Sequence, residues 1–143
     1  MNMIKIVTKS KKETLLLGKT LATACQGGEI FGLTGDLGAG KTCLAQGLAQ
    51  GLGVKGIVNS PTFVVMKIYN IKGKKIKKLC HIDAYRLRTS ADLEAIGAQE
   101  YFGRPDTVTV IEWAEIINRI LPKKTITVKL KNRNDGCREI SIK

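Results

Sequence analysis

The segment from Glu29 to Gly53, EIFGLTGDLGAGKTCLAQGLAQGLG, restricts the fold more than any other part of the chain. Its apolar opening, Ile30-Phe31-Gly32-Leu33, is short and bounded by turn-formers, which predicts a buried strand. Gly35-Asp36-Leu37-Gly38-Ala39-Gly40-Lys41-Thr42 then fits G-x-x-x-x-G-K-[ST], the pattern of a phosphate-binding loop (P-loop). Beyond it, Leu44, Leu48 and Leu52 recur every four residues, as on one face of a helix, and Gly53 suits its cap. Strand, glycine-rich loop and helix in that order predict an open α/β sheet, which takes ligands at the carboxyl ends of its strands.

The residue types in the loop match what phosphate binding needs. Gly35, Gly38 and Gly40 allow positive φ and a tight turn, so that successive N–H groups converge on an anion. The first turn of the following helix adds unpaired N–H groups and the positive end of the helix dipole. Lys41 can reach β- and γ-phosphates, and the Thr42 hydroxyl can ligate Mg²⁺. The nucleotide cradle is therefore expected to run over Gly35, Asp36, Leu37, Gly38, Ala39, Gly40, Lys41, Thr42 and Cys43.

The remaining chain reads as more strands and helices of one domain, residues 1–143. Met3–Val7 is a short β-type run, and Ser10 with Glu13 has capping-box spacing ahead of a helix that turns Leu17, Leu21, Ala24 and Cys25 inward and stops at Gly27-Gly28. Asn59–Thr62 is a turn, Phe63–Tyr69 a strand, Lys72-Gly73-Lys74 a hairpin tip and Ile76–Asp83 the returning arm. A helix is expected from Ala91 to about Phe102, then a buried strand at Val108–Ile111 and a short helix ending at Leu121-Pro122. Thr125–Lys131 and Cys137–Lys143 alternate as a hairpin around Asn132–Gly136. The fold class is α/β, a P-loop NTPase-like sheet flanked by helices and extended by antiparallel hairpins.

Composition narrows the function less. The net charge of +12 comes from lysine, which outnumbers arginine about three to one and spreads along the chain. Such charge aids encounter with RNA but specifies no partner, and no aromatic-basic recognition module accompanies it. Cys25, Cys43, Cys80 and Cys137 form no C-x-x-C pair and read as buried reduced thiols, and a lone histidine, His81, argues for no metal site. No apolar run has membrane length and the start lacks a signal-peptide core, so no membrane association and a cytoplasmic location are expected.

Turnover at a P-loop needs a carboxylate on Mg²⁺ and a group that orients the attacking oxygen. Two acids close apolar strands: Asp83 after Leu79-Cys80-His81-Ile82, and Glu112 after Val108-Thr109-Val110-Ile111. Either can be the metal-facing carboxylate. The same loop serves small-molecule kinases and nucleotide-dependent switches without turnover, and both are alternatives to an ATPase. No N-K-x-D guanine-reading motif is present, which favours ATP over GTP. No arginine is obviously placed on the γ-phosphate, Arg86 being the nearest candidate, so hydrolysis by the isolated chain is expected to be slow.

GDLGAGKT, SPTF, HIDAYRL and IEWAE, in that order over a chain of this length, resemble the TsaE (YjeE) family of small bacterial P-loop ATPases. The resemblance implies an ATP- and Mg²⁺-dependent ATPase. It would act with TsaB and TsaD in making threonylcarbamoyladenosine next to the tRNA anticodon, meeting tRNA indirectly and not modifying the base itself. It implies phosphate contacts from Gly38 through Thr42, a switch-like loop at Ser60-Pro61-Thr62 in which Thr62 senses the γ-phosphate, and Asp83 and Glu112 as the site acids. Catalytic roles thus fall to Lys41, Asp83 and Glu112, and metal contacts to Thr42, Glu112 and Asp83, with the roles of the two acids open to exchange. By the same resemblance Trp113 lies near the nucleotide, and Lys11 and Asp135 flank the adenine. Ala114 departs from the proline often found after Glu-Trp in the family, and the strong positive charge is not a family requirement.

Overall fold

The computed structural model describes residues 2–73 and 75–143; Lys74, in the expected hairpin tip, lies outside them. Strands β1 (Ile4–Thr8), β2 (Ile30–Thr34), β3 (Met66–Asn70), β4 (Lys78–Asp83), β5 (Thr107–Glu112), β6 (Ile126–Asn132) and β7 (Arg138–Ile142) form one sheet, ordered β1-β7-β6-β2-β5-β4-β3. Its centre, β6-β2-β5-β4, is parallel; β3 and the β7-β1 pair flank it antiparallel. This is the expected mixed sheet.

Helices α1 (Lys11–Thr23) and α2 (Lys41–Leu52) cover one face, over Phe31, Leu33, Leu79, Val108 and Val110. Helix α3 (Ser90–Ala95) and short 3₁₀ segments cover the other, over Ile30, Cys80, Ile82 and Ile111. β2 and β5 are buried on both sides, and in β5 that burial takes in Thr107, Thr109 and Glu112 as well as the apolar residues. Among the described residues no helix is long and apolar enough to cross a membrane.

Local chemistry sets several boundaries. The Ser10 hydroxyl accepts from Glu13 N–H at 3.1 Å, while the Glu13 carboxylate takes the N–H of Lys9, one residue earlier than a capping box would have it. α1 buries Thr14, Gly18 and Ala22, with Leu17, Leu21 and Cys25 at the margin and Ala24 exposed. A stripe of small residues replaces the expected apolar one because α1 lies unusually close to α2. A Cβ on Gly18 would strike the backbone of Leu44 and Leu48, and one on Gly51 would come within 2.6 Å of Ala22 Cβ.

Three expectations need correction. β3 begins at Met66, not Phe63: residues 62–64 turn, Val65 N–H donates to Pro61 C=O at 2.6 Å, and Val65 sits at φ +69°. β4 starts at Lys78, two residues after Ile76. The helix after Thr89 stops at Ala95 because Gly97 adopts φ +76°, and only a 3₁₀ turn, Ala98–Glu100, follows. All four cysteines are free, but only Cys80 is buried outright; burial pushes its thiol up to about 12.

Candidate phosphate-binding site

Between β2 and α2 the chain turns through Gly35, Gly38 and Gly40 at φ +140°, +78° and +105°. Gly40 is the N-cap residue of α2, and among the described residues no side chain caps that end, so the first-turn N–H groups are left without an intrahelical partner. Among the described residues nothing stands within 4 Å of a Cβ position on Gly38. Lys41 is only 5% exposed. Its ammonium donates to the Gly35 and Asp36 carbonyls and lies 3.8 Å from the centre of the Trp113 ring. Partial burial lowers the Lys41 pKa, against the opposing pull of Glu115, Glu112, Asp36 and Asp83.

The two strand-end acids meet this loop differently. β4 and β5 pair in parallel with Asp83 opposite Glu112, so both carboxylates reach the same end of the sheet. Glu112 is 2% exposed; Oε1 accepts from Thr42 Oγ1 at 2.6 Å, and Oε2 lies 2.6 Å from His81 Nε2. Burial alone would raise its pKa, but the hydrogen bonds from His81 and Thr42 and the charge interaction with His81 outweigh that and hold it below the ordinary glutamate value. Asp83 is taken up by its own chain: Oδ2 accepts from Ser60 Oγ at 3.0 Å and Thr62 Oγ1 at 3.2 Å, and Oδ1 from Tyr85 N–H at 3.0 Å.

These groups line a cleft of about 570 Å³, within the range of small-molecule sites. It brings together Lys11, Leu37, Gly38, Gly40, Lys41, Thr42, Cys43, Thr62, Asp83, Glu112 and Trp113 from the sequence reading. Gly35, Asp36, Ala39 and Asp135 are not on its wall. Gly35 and Asp36 hold Lys41 through their carbonyls, and Ala39 is core. Asp135 sits in the β6-β7 turn, where it pairs with Arg133 at 2.9 Å and accepts from Cys137 N–H at 3.0 Å.

Ser60, Tyr85 and Arg138 complete the wall and were not among the expected site residues. Ser60 was within reach as part of SPTF. Arg138 was not: only the β6-β7 pairing carries it to the P-loop, where it donates to Gly38 C=O at 3.0 Å and lies against Gly40. Arg86 is instead exposed and stacks over Phe63, its guanidinium carbon 5.2 Å from the ring centre. Glu115, on the far side of the loop, accepts from Gly35 N–H at 3.0 Å and steadies the turn.

Thr42 Oγ1 and Glu112 Oε1 face each other as two oxygens, the donor type a hard divalent cation takes, and are the pair that could hold one. Among the described residues no three His, Cys, Asp or Glu side chains gather around one point. Main-chain amides for phosphate, an ammonium beside them and a buried ionised carboxylate are the parts that phosphoryl transfer uses.

The family described as "Threonylcarbamoyl adenosine biosynthesis protein TsaE" matches over residues 8–140. The tRNA threonylcarbamoyladenosine biosynthesis protein TsaE of Bacillus subtilis is 38% identical over 142 residues, covering 99% of this chain and 86% of that protein. The TsaE protein of Treponema pallidum is 38% identical over 140 residues, covering 97% and 99%. The crystal structure of Bacillus subtilis YdiB superposes with a TM-score of 0.80 at 35% identity, over 99% of this chain and 84% of that one.

Proposed function

The chain belongs to the TsaE family, and from that premise we propose that it is a Mg²⁺-dependent ATPase serving threonylcarbamoyladenosine formation in tRNA. In this reading it acts in the cytoplasm with TsaB and TsaD, and meets tRNA through them. The observation that carries the proposal is the junction of Thr42 with the buried, ionised Glu112 beside a P-loop whose lysine is in place.

The roles follow from the contacts. The amides from Gly38 to Cys43 receive the phosphates, and Lys41 leaves the Gly35 and Asp36 carbonyls to meet the β- and γ-oxygens. Mg²⁺, when bound, neutralises charge on the phosphates and would be held by Thr42 and, directly or through water, by Glu112. Asp83 has both oxygens engaged, so its part is to anchor Ser60 and Thr62, and with them the loop that senses the γ-phosphate. Trp113 and Lys11 line the rest of the nucleotide's path. Arg138 is committed to a P-loop carbonyl, so slow hydrolysis by the chain alone remains the expectation.

The test is ATP hydrolysis by the purified chain with and without TsaB–TsaD. Low turnover alone, stimulation by the partners, and loss of both in Lys41→Ala are expected. A Lys41→Ala chain as active as wild type would remove the phosphate role. Consumption of ATP driven by a small alcohol or nucleoside, with TsaB–TsaD without effect, would replace the ATPase by a kinase.

A further inference from the structure

His81 is the single histidine of the chain and is fully buried on β4, two residues before Asp83. Strand pairing places it opposite Val110, so it reaches Glu112 along the diagonal of the β4-β5 ladder. Its neighbours Leu79, Val108 and Val110 on that face are apolar, and its cross-strand partner on β3 is the exposed Lys67, so Glu112 is the polar group it meets inside the protein.

We propose that His81 is a positioning residue for the metal-facing carboxylate: by donating from Nε2 it occupies Oε2 of Glu112 and leaves Oε1 to face Thr42 and the ion. This rests on the nucleotide reading above. An ionised carboxylate can only accept, so the shared proton belongs to Nε2. His81 Nδ1 has no partner among the described residues, so Nε2 is the ring nitrogen committed to the carboxylate. Both oxygens of Glu112 are then fixed, one by imidazole and one by the Thr42 hydroxyl, each at 2.6 Å. Without His81, a carboxylate that is 2% exposed would have a free oxygen inside the protein. It could turn that oxygen toward Thr42, and the lost orientation weakens its hold on a divalent cation.

Because there is one histidine, its imidazole ¹⁵N and ¹H resonances need no assignment. In the chain without nucleotide, a slowly exchanging proton on Nε2 is expected. The imidazole signals should move on adding Mg²⁺ with ADP, and less with ADP and EDTA. His81→Phe should reduce the enhancement of ADP affinity by Mg²⁺ by about 10–100-fold, read from Trp113 fluorescence, with Mg²⁺-free affinity unchanged. His81→Gln, which keeps a side-chain donor, should recover part of it. An Nε2 without a proton, an imidazole indifferent to Mg²⁺ with ADP, or an undiminished Mg²⁺ enhancement in His81→Phe would overturn this inference alone. A wild type that responds to no nucleotide at all would overturn the nucleotide reading and this one with it.

Discussion

Glu112 couples the stability of the fold to the chemistry proposed for the site. Its carboxyl pKa is depressed in the folded chain, so deprotonation favours folding. That contribution is complete above the ordinary glutamate value of 4.5 and disappears as pH falls through the lower folded value. Denaturation midpoints measured from pH 7 down to pH 3 should therefore drop more steeply for wild type than for Glu112→Gln, which has no proton to take up. Parallel curves would mean that the His81 and Thr42 hydrogen bonds do not bias its ionisation. Asp83 separates from it by role. Asp83→Ala frees Ser60 and Thr62 but leaves the P-loop amides untouched, so ADP binding followed by Trp113 fluorescence should persist while hydrolysis falls. Equal loss of both would make Asp83 a structural residue.

At the scale of elements, the approach of α1 to α2 is what sets the P-loop helix against the sheet. A Cβ on Gly47 would run into the Leu15 carbonyl, and backbone cannot step aside as a side-chain tip can. Gly47→Ala should cost about 1–3 kcal/mol or more, seen as a lower urea midpoint with an unchanged slope; a neutral outcome would show that α1 can slide. This contact also explains what the sequence could and could not reveal. β2, the P-loop, the Gly53 cap at φ +97° and the β6-β7 hairpin were legible because each is decided by neighbours along the chain. The small-residue stripe Thr14–Gly18–Ala22 was not, since leucines at helical spacing look like the buried face until a glycine-bearing partner helix arrives. The break at Gly97 was marked only by a glycine, which a helix can also absorb at a cost of about 1 kcal/mol. In the site, the two strand-end acids were legible from the sheet rule, but His81 and Arg138 act through pairings of β4 with β5 and β7 with β6 that no local pattern announces.

Across the whole molecule, the cleft is assembled from residues as far apart in sequence as Lys11 and Arg138, carried by α1, α2, β4, β5 and β7. Local opening of the P-loop alone would release ligand without unfolding β4, β5 or β7. A ligand touching all of them instead ties its binding energy to the global equilibrium. ATP with Mg²⁺ at one hundred times its dissociation constant should then stabilise the chain by about 2.7 kcal/mol, on the order of 10 °C in melting temperature for a domain of this size. Hydrogen exchange should slow in β2, β4, β5 and β7 as well as in residues 35–43. Arg138→Ala removes the one side-chain hydrogen bond from β7 to the loop that the described residues show. It should shrink the thermal shift and cancel the added protection in β7 while leaving that in β2. Protection confined to the P-loop in wild type would mean that nucleotide is held by the loop alone, and that the hairpin closing the far end of the sheet takes no part in gripping it.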